Sequence, residues 1–272
     1  MLEENITQKA GTSLLKLLKK HKCFTDLPQD SRSLLKTPRA TAVEADINVV
    51  TPGKYCHFGL LDGLQQTLQG FEKLPSVANL YFNIDGLPIS KSSKTQLWPI
   101  QCKLAKCELP PFIVGIYEGK TKPKCSNEFL SRFVSELKSV LADGVEVGAK
   151  VVKISVKGFV CDSPARAFVF MTKGHSGYNS CPKCTVEGSH LGRVCFPETA
   201  ATLRTDQSFR GQEDPDHHHG VSVLTELPID CVQCSARLHA FGLPGGNEEV
   251  TSAVGGRSIK SGTRACRAQC FV

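Results

Sequence analysis

The segment NLYFNIDGLPISKSSKTQLWPIQCKL, residues 79–104, decides the fold. It joins two runs of apolar, β-branched and aromatic residues through a turn that contains Gly86 and Pro88, a pattern that predicts two successive strands. We expect the first strand at residues 80–85 and the second at residues 96–104. The segment PFIVGIYEG, residues 111–119, predicts a third strand. The chain is therefore expected to form a three-strand meander.

A helix, a strand and a second helix are expected after the meander. The segment SNEFLSRFVSELKSVLADG, residues 126–144, places its apolar side chains on one helical face, with Ser126 as candidate N-cap and Gly144 beyond the end. KVVKISVKGFVCD predicts a strand that ends at Asp162, and SPARAFVFMTKG predicts a short helix capped by Asp162 or Ser163. Because a crossover helix places the next strand parallel to the first, this order predicts an α/β fold with a mixed sheet.

Composition narrows the class of protein. The chain has 272 residues and 40% hydrophobic content, which suits one packed domain of about 150–200 residues with additional end segments. It has no apolar run of about 18 residues and no secretory leader, so we expect an intracellular protein without a membrane anchor. The 13 cysteines are an odd number, which favours reduced thiols, and the net charge of +7 is compatible with a polyanionic partner.

The ends of the chain show weaker patterns. Residues 12–24 predict an amphipathic helix with a basic face, whereas residues 25–54 are irregular. After residue 230 the sequence is rich in Gly, Ser, Ala and Arg without a sustained period, which predicts a disordered tail. We therefore divide the chain into an N-terminal segment (1–54), a core (55–175), a Cys/His insertion (176–230) and the tail (231–272).

Two aspartates lie at predicted strand ends, where their carboxylates could bind metal ions. Asp85 ends the first predicted strand and Asp162 ends the fourth. Neighbouring parallel strands would bring both carboxylates to one edge of the sheet, where they could hold Mg²⁺ or Mn²⁺ for two-metal phosphodiester chemistry, although such a site generally needs a third carboxylate. The alternative is structural, with Asp85 as a turn residue before Gly86 and Asp162 as a helix N-cap.

A second group of residues has the spacing of a zinc site. Cys181 and Cys184 form a CxxC pair that supplies half of a tetrahedral site. The remaining ligands could come from the histidines at 217–219 or from the second CxxC at Cys231 and Cys234, and we prefer the histidines because the second pair lies at the start of the irregular tail. A redox CxxC, unligated thiols and a solvated histidine turn remain alternatives. P-loop, GxSxG and HExxH motifs do not occur.

Several blocks together resemble a known family. LYFNIDGLPISKSSKTQLWPI, PFIVGIYEGKTKP, FVCDSPARAFVFMTKGHSGYNSCPKCTVEG, RVCFPE, LRTDQSFR and PDHHHGVSVL closely resemble, in order, the DDE/DDD transposase domain of CACTA-like (En/Spm-related) DNA transposons. The resemblance covers about residues 12–230. It implies a ribonuclease-H-like core in a nuclear protein that cuts and joins transposon-end DNA. Assembly into a homo-oligomer is compatible with the resemblance.

The resemblance also implies roles for individual residues. Asp85 and Asp162 match the first two catalytic carboxylates, which bind Mg²⁺ or Mn²⁺. Cys181, Cys184, His217 and His218 match a structural Zn²⁺ site, whereas His219 departs from the family pattern. DNA phosphates would meet the lysines Lys91, Lys94, Lys120, Lys122 and Lys124.

After residue 230 this chain departs from the family. The family continues toward a third acidic residue, whereas this sequence changes character in the manner of a frameshift or aberrant exon, and we expect a chain truncated at both ends relative to the family. The third carboxylate cannot be assigned among Glu226, Glu248 and Glu249. We therefore expect a catalytically incomplete transposase-like protein, with a non-enzymatic zinc-containing DNA-binding or interaction module, or a non-functional remnant, as alternatives.

Overall fold

The computed structural model describes residues 6–35, 47–89, 94–196, 198 and 200–236. The chain divides into two compact units, Met1–Ala45 and Asp46–Val272. The first contains α1 (Gln8–Leu18), a short 3₁₀ helix (Lys22–Phe24) and α2 (Ser31–Leu34). The amphipathic helix expected at residues 12–24 thus starts earlier, behind its N-cap Thr7, and ends at Leu18.

The second unit is a mixed α/β structure. In addition to a 3₁₀ helix at Val223–Glu226, its elements in chain order are β1 (Ile47–Val50), β2 (Gly53–His57), α3 (Leu60–Gln69), β3 (Val77–Ile84), β4 (Leu87–Pro88), β5 (Gln96–Leu104), β6 (Phe112–Gly119), α4 (Ser126–Asp143), β7 (Val145–Val147), β8 (Lys150–Val160), α5 (Ser163–Val169), β9 (Ser189–His190), β10 (Val194–Cys195), α6 (Asp206–Arg210) and β11 (Ser235–Ala236).

The strand order of the main sheet is β1-β2-β6-β5-β3-β8-β11. β3, β5 and β6 form the predicted antiparallel meander. β8 follows the helix α4 and pairs with β3 in parallel, as predicted, and β11 adds a further parallel strand on the other side of β8. β3, β6, β8 and β11 consequently all run toward the same edge of the sheet, which we call the carboxyl edge.

The core lies between one face of the sheet and the helices. Along β3 every second residue is buried, as expected for a strand with one covered face. Phe133 of α4 packs against Phe82 of β3 and Phe159 of β8. Ser126 is not the N-cap of α4, because the helix begins at Ser126 itself, whose buried hydroxyl donates to the Val169 carbonyl oxygen at 3.4 Å.

α3 and the two strands before it were not predicted from the sequence. The N-cap of α3 is Gly59, which has no side chain to accept the first N–H groups. The carboxylate of Glu136 on α4 replaces it, accepting from the N–H groups of Leu60 at 2.7 Å and Leu61 at 2.9 Å. The same carboxylate lies 2.8 Å from Nε2 of His57. Glu136 therefore attaches α3 to the end of β2 and to α4.

The segment from residue 206 to residue 236 packs on the core. Leu224, Leu227 and Ile229, which fall in the expected Cys/His insertion, belong to the main hydrophobic core, whereas Cys181 and Cys184 lie in a separate small cluster. Cys231 and Cys234, where we expected a disordered tail, are buried, and β11 follows them directly. The rest of the expected tail, residues 237–272, lies outside the described residues.

Charged side chains of α6 hold this segment in place. Arg210 donates to the backbone carbonyl oxygens of Thr225, Leu227 and Ile229. Asp206 accepts from the Cys231 N–H at 2.8 Å. No helix in the described part of the chain is long and apolar enough to cross a membrane.

Candidate functional site

The structure places Asp85 and Asp162 at the carboxyl edge of two adjacent strands. Asn83 of β3 pairs in parallel register with Val160 of β8. Asp85 and Asp162 each follow that pair by two residues. The predicted convergence of the two carboxylates is therefore present, and it follows from the register of the central strand pair.

Local hydrogen bonds orient both carboxylates. Asp85 Oδ1 accepts from the N–H of Gly86 at 2.7 Å, and Asp162 Oδ1 accepts from the N–H of Ala165 at 2.7 Å. Asp162 is thus the N-cap of α5, as the structural alternative predicted. Asp162 can cap α5 and also lie near Asp85, because α5 starts directly after β8, whose end lies beside the end of β3.

The two carboxyl groups interact electrostatically. Burial raises the pKa of Asp85, the neighbouring Asp162 carboxylate raises it further, and the hydrogen bond from Gly86 opposes both effects. Cys161 is buried next to the pair, and burial raises the pKa of its thiol to about 12. Two carboxylates that repel each other at one edge gain stability from a bound cation.

Arg166 and Lys183 are two basic side chains that interact with each other. Arg166 lies one helical turn after Asp162 and interacts electrostatically with Cys161. Lys183 donates to the Val232 carbonyl oxygen, and its pKa is lowered by burial and then by Arg166. Arg166 and Lys183 were not singled out from the sequence, although the position of Arg166 one turn after the capping aspartate was an available signal. Arg166 therefore adds one cation close to Cys161 and the aspartate pair, and Lys183 is related to this edge through Arg166.

Of the acids expected as a third carboxylate, Glu226 is the one within the described residues, and it does not join this pair. Glu226 forms an ion pair with Lys138 of α4 and is about half exposed. Glu248 and Glu249 lie outside the described residues. Asp230 immediately precedes the Cys231–Ala236 segment, but its Oδ1 accepts from the N–H groups of Val232 and Gln233. Within the described ranges, no group of three or more Cys, His, Asp or Glu side chains has metal-binding geometry.

The CxxC pair is assembled, whereas the full zinc set is not. Cys181 and Cys184 are buried, with their Sγ atoms 3.3 Å apart. Two thiolates on one tetrahedral zinc ion lie about 3.7 Å apart, given a Zn–S length of about 2.3 Å. The pair therefore fits half of a zinc site. His217 and His218 do not complete a ligand group with it in the part of the chain that is described.

His217 is fixed in a neutral form near the CxxC segment. It is 1% exposed, and its Nδ1–H donates to the Asn179 carbonyl oxygen at 2.6 Å. Burial lowers its pKa to about 4. The buried Arg204 connects this region to the CxxC segment, since it donates to the Cys181 carbonyl oxygen at 3.0 Å and to Asp214 at 2.6 Å. The tautomer leaves Nε2 without a proton, which a metal ligand requires.

The remaining candidate residues have different environments. The ring of His218 packs against Phe209, with centroids 4.7 Å apart, and His219 is exposed. Burial raises the pKa of Cys231 to about 12 and also raises the pKa of Cys234. Lys94, Lys120, Lys122 and Lys124 are exposed, and Lys91 lies outside the described residues.

Comparison with known proteins provides no family assignment. No protein-family model matches the chain, and no curated protein matches it.

Proposed function

We propose that the chain is a transposon-derived protein with the ribonuclease-H-like core of a cut-and-paste DNA transposase. In this proposal Asp85 and Asp162 hold Mg²⁺ or Mn²⁺ beside the DNA backbone. The observation that carries the proposal is the placement of both aspartates at the carboxyl edge of adjacent parallel strands, two residues beyond the Asn83–Val160 pair.

The topology supports the fold part of the proposal. A meander of three antiparallel strands, a helix and then two parallel strands gives the order β6-β5-β3-β8-β11. That order agrees with the ribonuclease-H-like core that the sequence resemblance implies. β1 and β2 extend the sheet beyond β6 and do not disturb the central pair.

The proposed chemistry assigns simple tasks to the residues of the chain. The hydrogen bonds from Gly86 and Ala165 fix the two carboxylates before any cation binds. A bound divalent cation would activate the attacking oxygen and stabilise the leaving oxygen of a phosphodiester. Lysine and arginine side chains around the edge would hold the phosphates.

A nicking assay tests the proposed reaction. Supercoiled plasmid is incubated with the purified chain and Mn²⁺, and the wild type is compared with Asp85→Asn and Asp162→Asn. The asparagine at residue 162 retains an oxygen that can cap α5, so that lost activity reports on the charge and not on the helix. Nicking by the wild type that both variants lose supports the proposal, and nicking that both variants retain contradicts it.

A second candidate function is DNA binding without cleavage. It is favoured by the lack of a third metal-binding acid at this edge among the described residues. Such a module would bind DNA in a salt-sensitive manner, and neither the wild type nor the variants would nick the plasmid. A structural zinc ion held partly by Cys181 and Cys184, and a nuclear location, belong to both proposals.

A further inference from the structure

Lys122 lies in a turn that reaches the carboxyl edge. β6 runs parallel to β3 in the sheet, so the turn that follows Gly119 lies at the edge where β3 ends. This turn, residues 120–125, contains Lys120, Lys122 and Lys124, all of which are exposed. Topology alone therefore brings three lysines to the edge that carries the two aspartates.

Backbone contacts fix the turn on both sides. The hydroxyl of Tyr117 donates to the Thr121 carbonyl oxygen at 3.1 Å. The N–H of Lys124 donates to the Thr51 carbonyl oxygen at 3.0 Å. Gly119 permits this arrangement, since a Cβ there would lie 2.2 Å from the Tyr117 hydroxyl oxygen. The lysines therefore extend from a defined backbone.

A series of aromatic contacts connects Lys122 to Asp85. The Lys122 ammonium lies 5.0 Å from the ring centroid of Phe168 on α5, the helix that Asp162 caps. Phe168 packs edge-on against Trp98, with centroids 5.4 Å apart. Trp98 covers Gly86 so closely that a Cβ on Gly86 would lie 2.8 Å from the indole. These contacts connect the turn of Lys122 to α5 and to the Asp85–Gly86 turn.

The ammonium of Lys122 can still bind an anion. None of the ion pairs among the described residues involves Lys122. Phe168 attracts the ammonium through its ring face and leaves N–H groups for an oxygen acceptor. Neither Lys120 nor Lys124 has a comparable ring contact with α5 among the described residues.

We propose that Lys122 binds a backbone phosphate of DNA and positions the strand beside Asp85 and Asp162. This inference rests on the proposed function and goes beyond it by naming one cation among three in the same turn. The phosphate would pair with the Lys122 ammonium, and the DNA strand would then lie over the carboxyl edge. Lys120 and Lys124 would contribute only to the general positive potential.

The test measures DNA affinity without requiring cleavage. Binding of a fluorescent duplex is titrated in EDTA at several salt concentrations for the wild type, Lys122→Gln, Lys122→Arg, and the matched controls Lys120→Gln and Lys124→Gln. We expect Lys122→Gln to weaken binding by about five- to tenfold and to reduce the salt slope by about 1, the value for one lost phosphate contact. The two controls should change affinity less than about twofold, and Lys122→Arg should retain most of it.

The outcomes separate the inference from the proposed function. A wild type that binds DNA with equal losses in all three glutamine variants overturns the role of Lys122 and leaves the proposed function standing. A wild type without DNA affinity at low salt overturns both. Thermal melts of each variant verify folding, which substitution of these exposed side chains should leave unchanged.

Discussion

The side-chain amide of Asn83 donates a 2.7 Å hydrogen bond to the carbonyl oxygen of Val160, its partner in the parallel β3–β8 register. The bond lies two residues before both candidate metal ligands, so it fixes the register that brings Asp85 and Asp162 together. We expect Asn83→Ala to lower the free energy of unfolding by about 1 kcal/mol, since a half-buried hydrogen bond is lost. Urea unfolding measures this change, with Asn79→Ala on the same strand as control. Equal values for the two variants would contradict the role of Asn83.

The two roles of Asp162 can be separated by substitution. Asp162→Ala removes the cap of α5 and should cost about 1 kcal/mol of folding free energy, whereas Asp162→Asn should cost less because its oxygen still accepts from Ala165. Chemical denaturation provides the measurement. A loss with asparagine as large as that with alanine would show that the charge, and not the cap, stabilises the helix.

The helices and strands with a clear periodicity of apolar residues were predicted from the sequence. β5 begins and ends as expected, and α4 and β8 match within a few residues, because each has a clear apolar pattern. α3 was missed since its N-terminus is capped by Glu136, which is distant in sequence. β11 was missed because its two residues form a strand only through pairing with Phe159 and Val160.

The candidate site, like the fold, was predictable only in part. The strand order was sufficient to place Asp85 and Asp162 at one edge, since parallel neighbours end together. The position of Lys183 was not predictable, because its contact with Val232 depends on how residues 206–236 fold back. The zinc set required four residues to converge, and sequence spacing alone established only the Cys181–Cys184 pair.

Acid should destabilise the protein through His217. Its pKa in the folded protein is lowered by burial to about 4, from an ordinary value of 6.5, so the folded state binds fewer protons than the unfolded state between these values. The stabilising contribution is therefore complete above about pH 6.5 and is lost as the pH falls toward 4, with a total on the order of 3 kcal/mol. Thermal melts from pH 7 to pH 4.5 measure it. The slope should flatten in His217→Gln and persist in the exposed control His190→Gln, and an unchanged slope in His217→Gln would exclude this cause.

Zinc content tests the CxxC segment. Because the two buried thiols are spaced for one ion, we expect one zinc per chain in the purified protein and none in the Cys181→Ser/Cys184→Ser double variant. Mass spectrometry under native conditions provides the count, with the exposed Cys23→Ser as control. Absence of zinc from the wild type would show that the pair functions as unligated thiols.

The central claim is that Asp85 and Asp162 form one divalent-cation site, and Mn²⁺ binding measured by electron paramagnetic resonance tests it most directly. The wild type, Asp85→Asn, Asp162→Asn and the exposed control Asp62→Asn are titrated at constant ionic strength after removal of bound metals. We expect one Mn²⁺ site in the wild type and the control, weakened at least tenfold by either site substitution, because each removes a hard oxygen ligand and its charge. Equal Mn²⁺ affinity in all four proteins would contradict the claim.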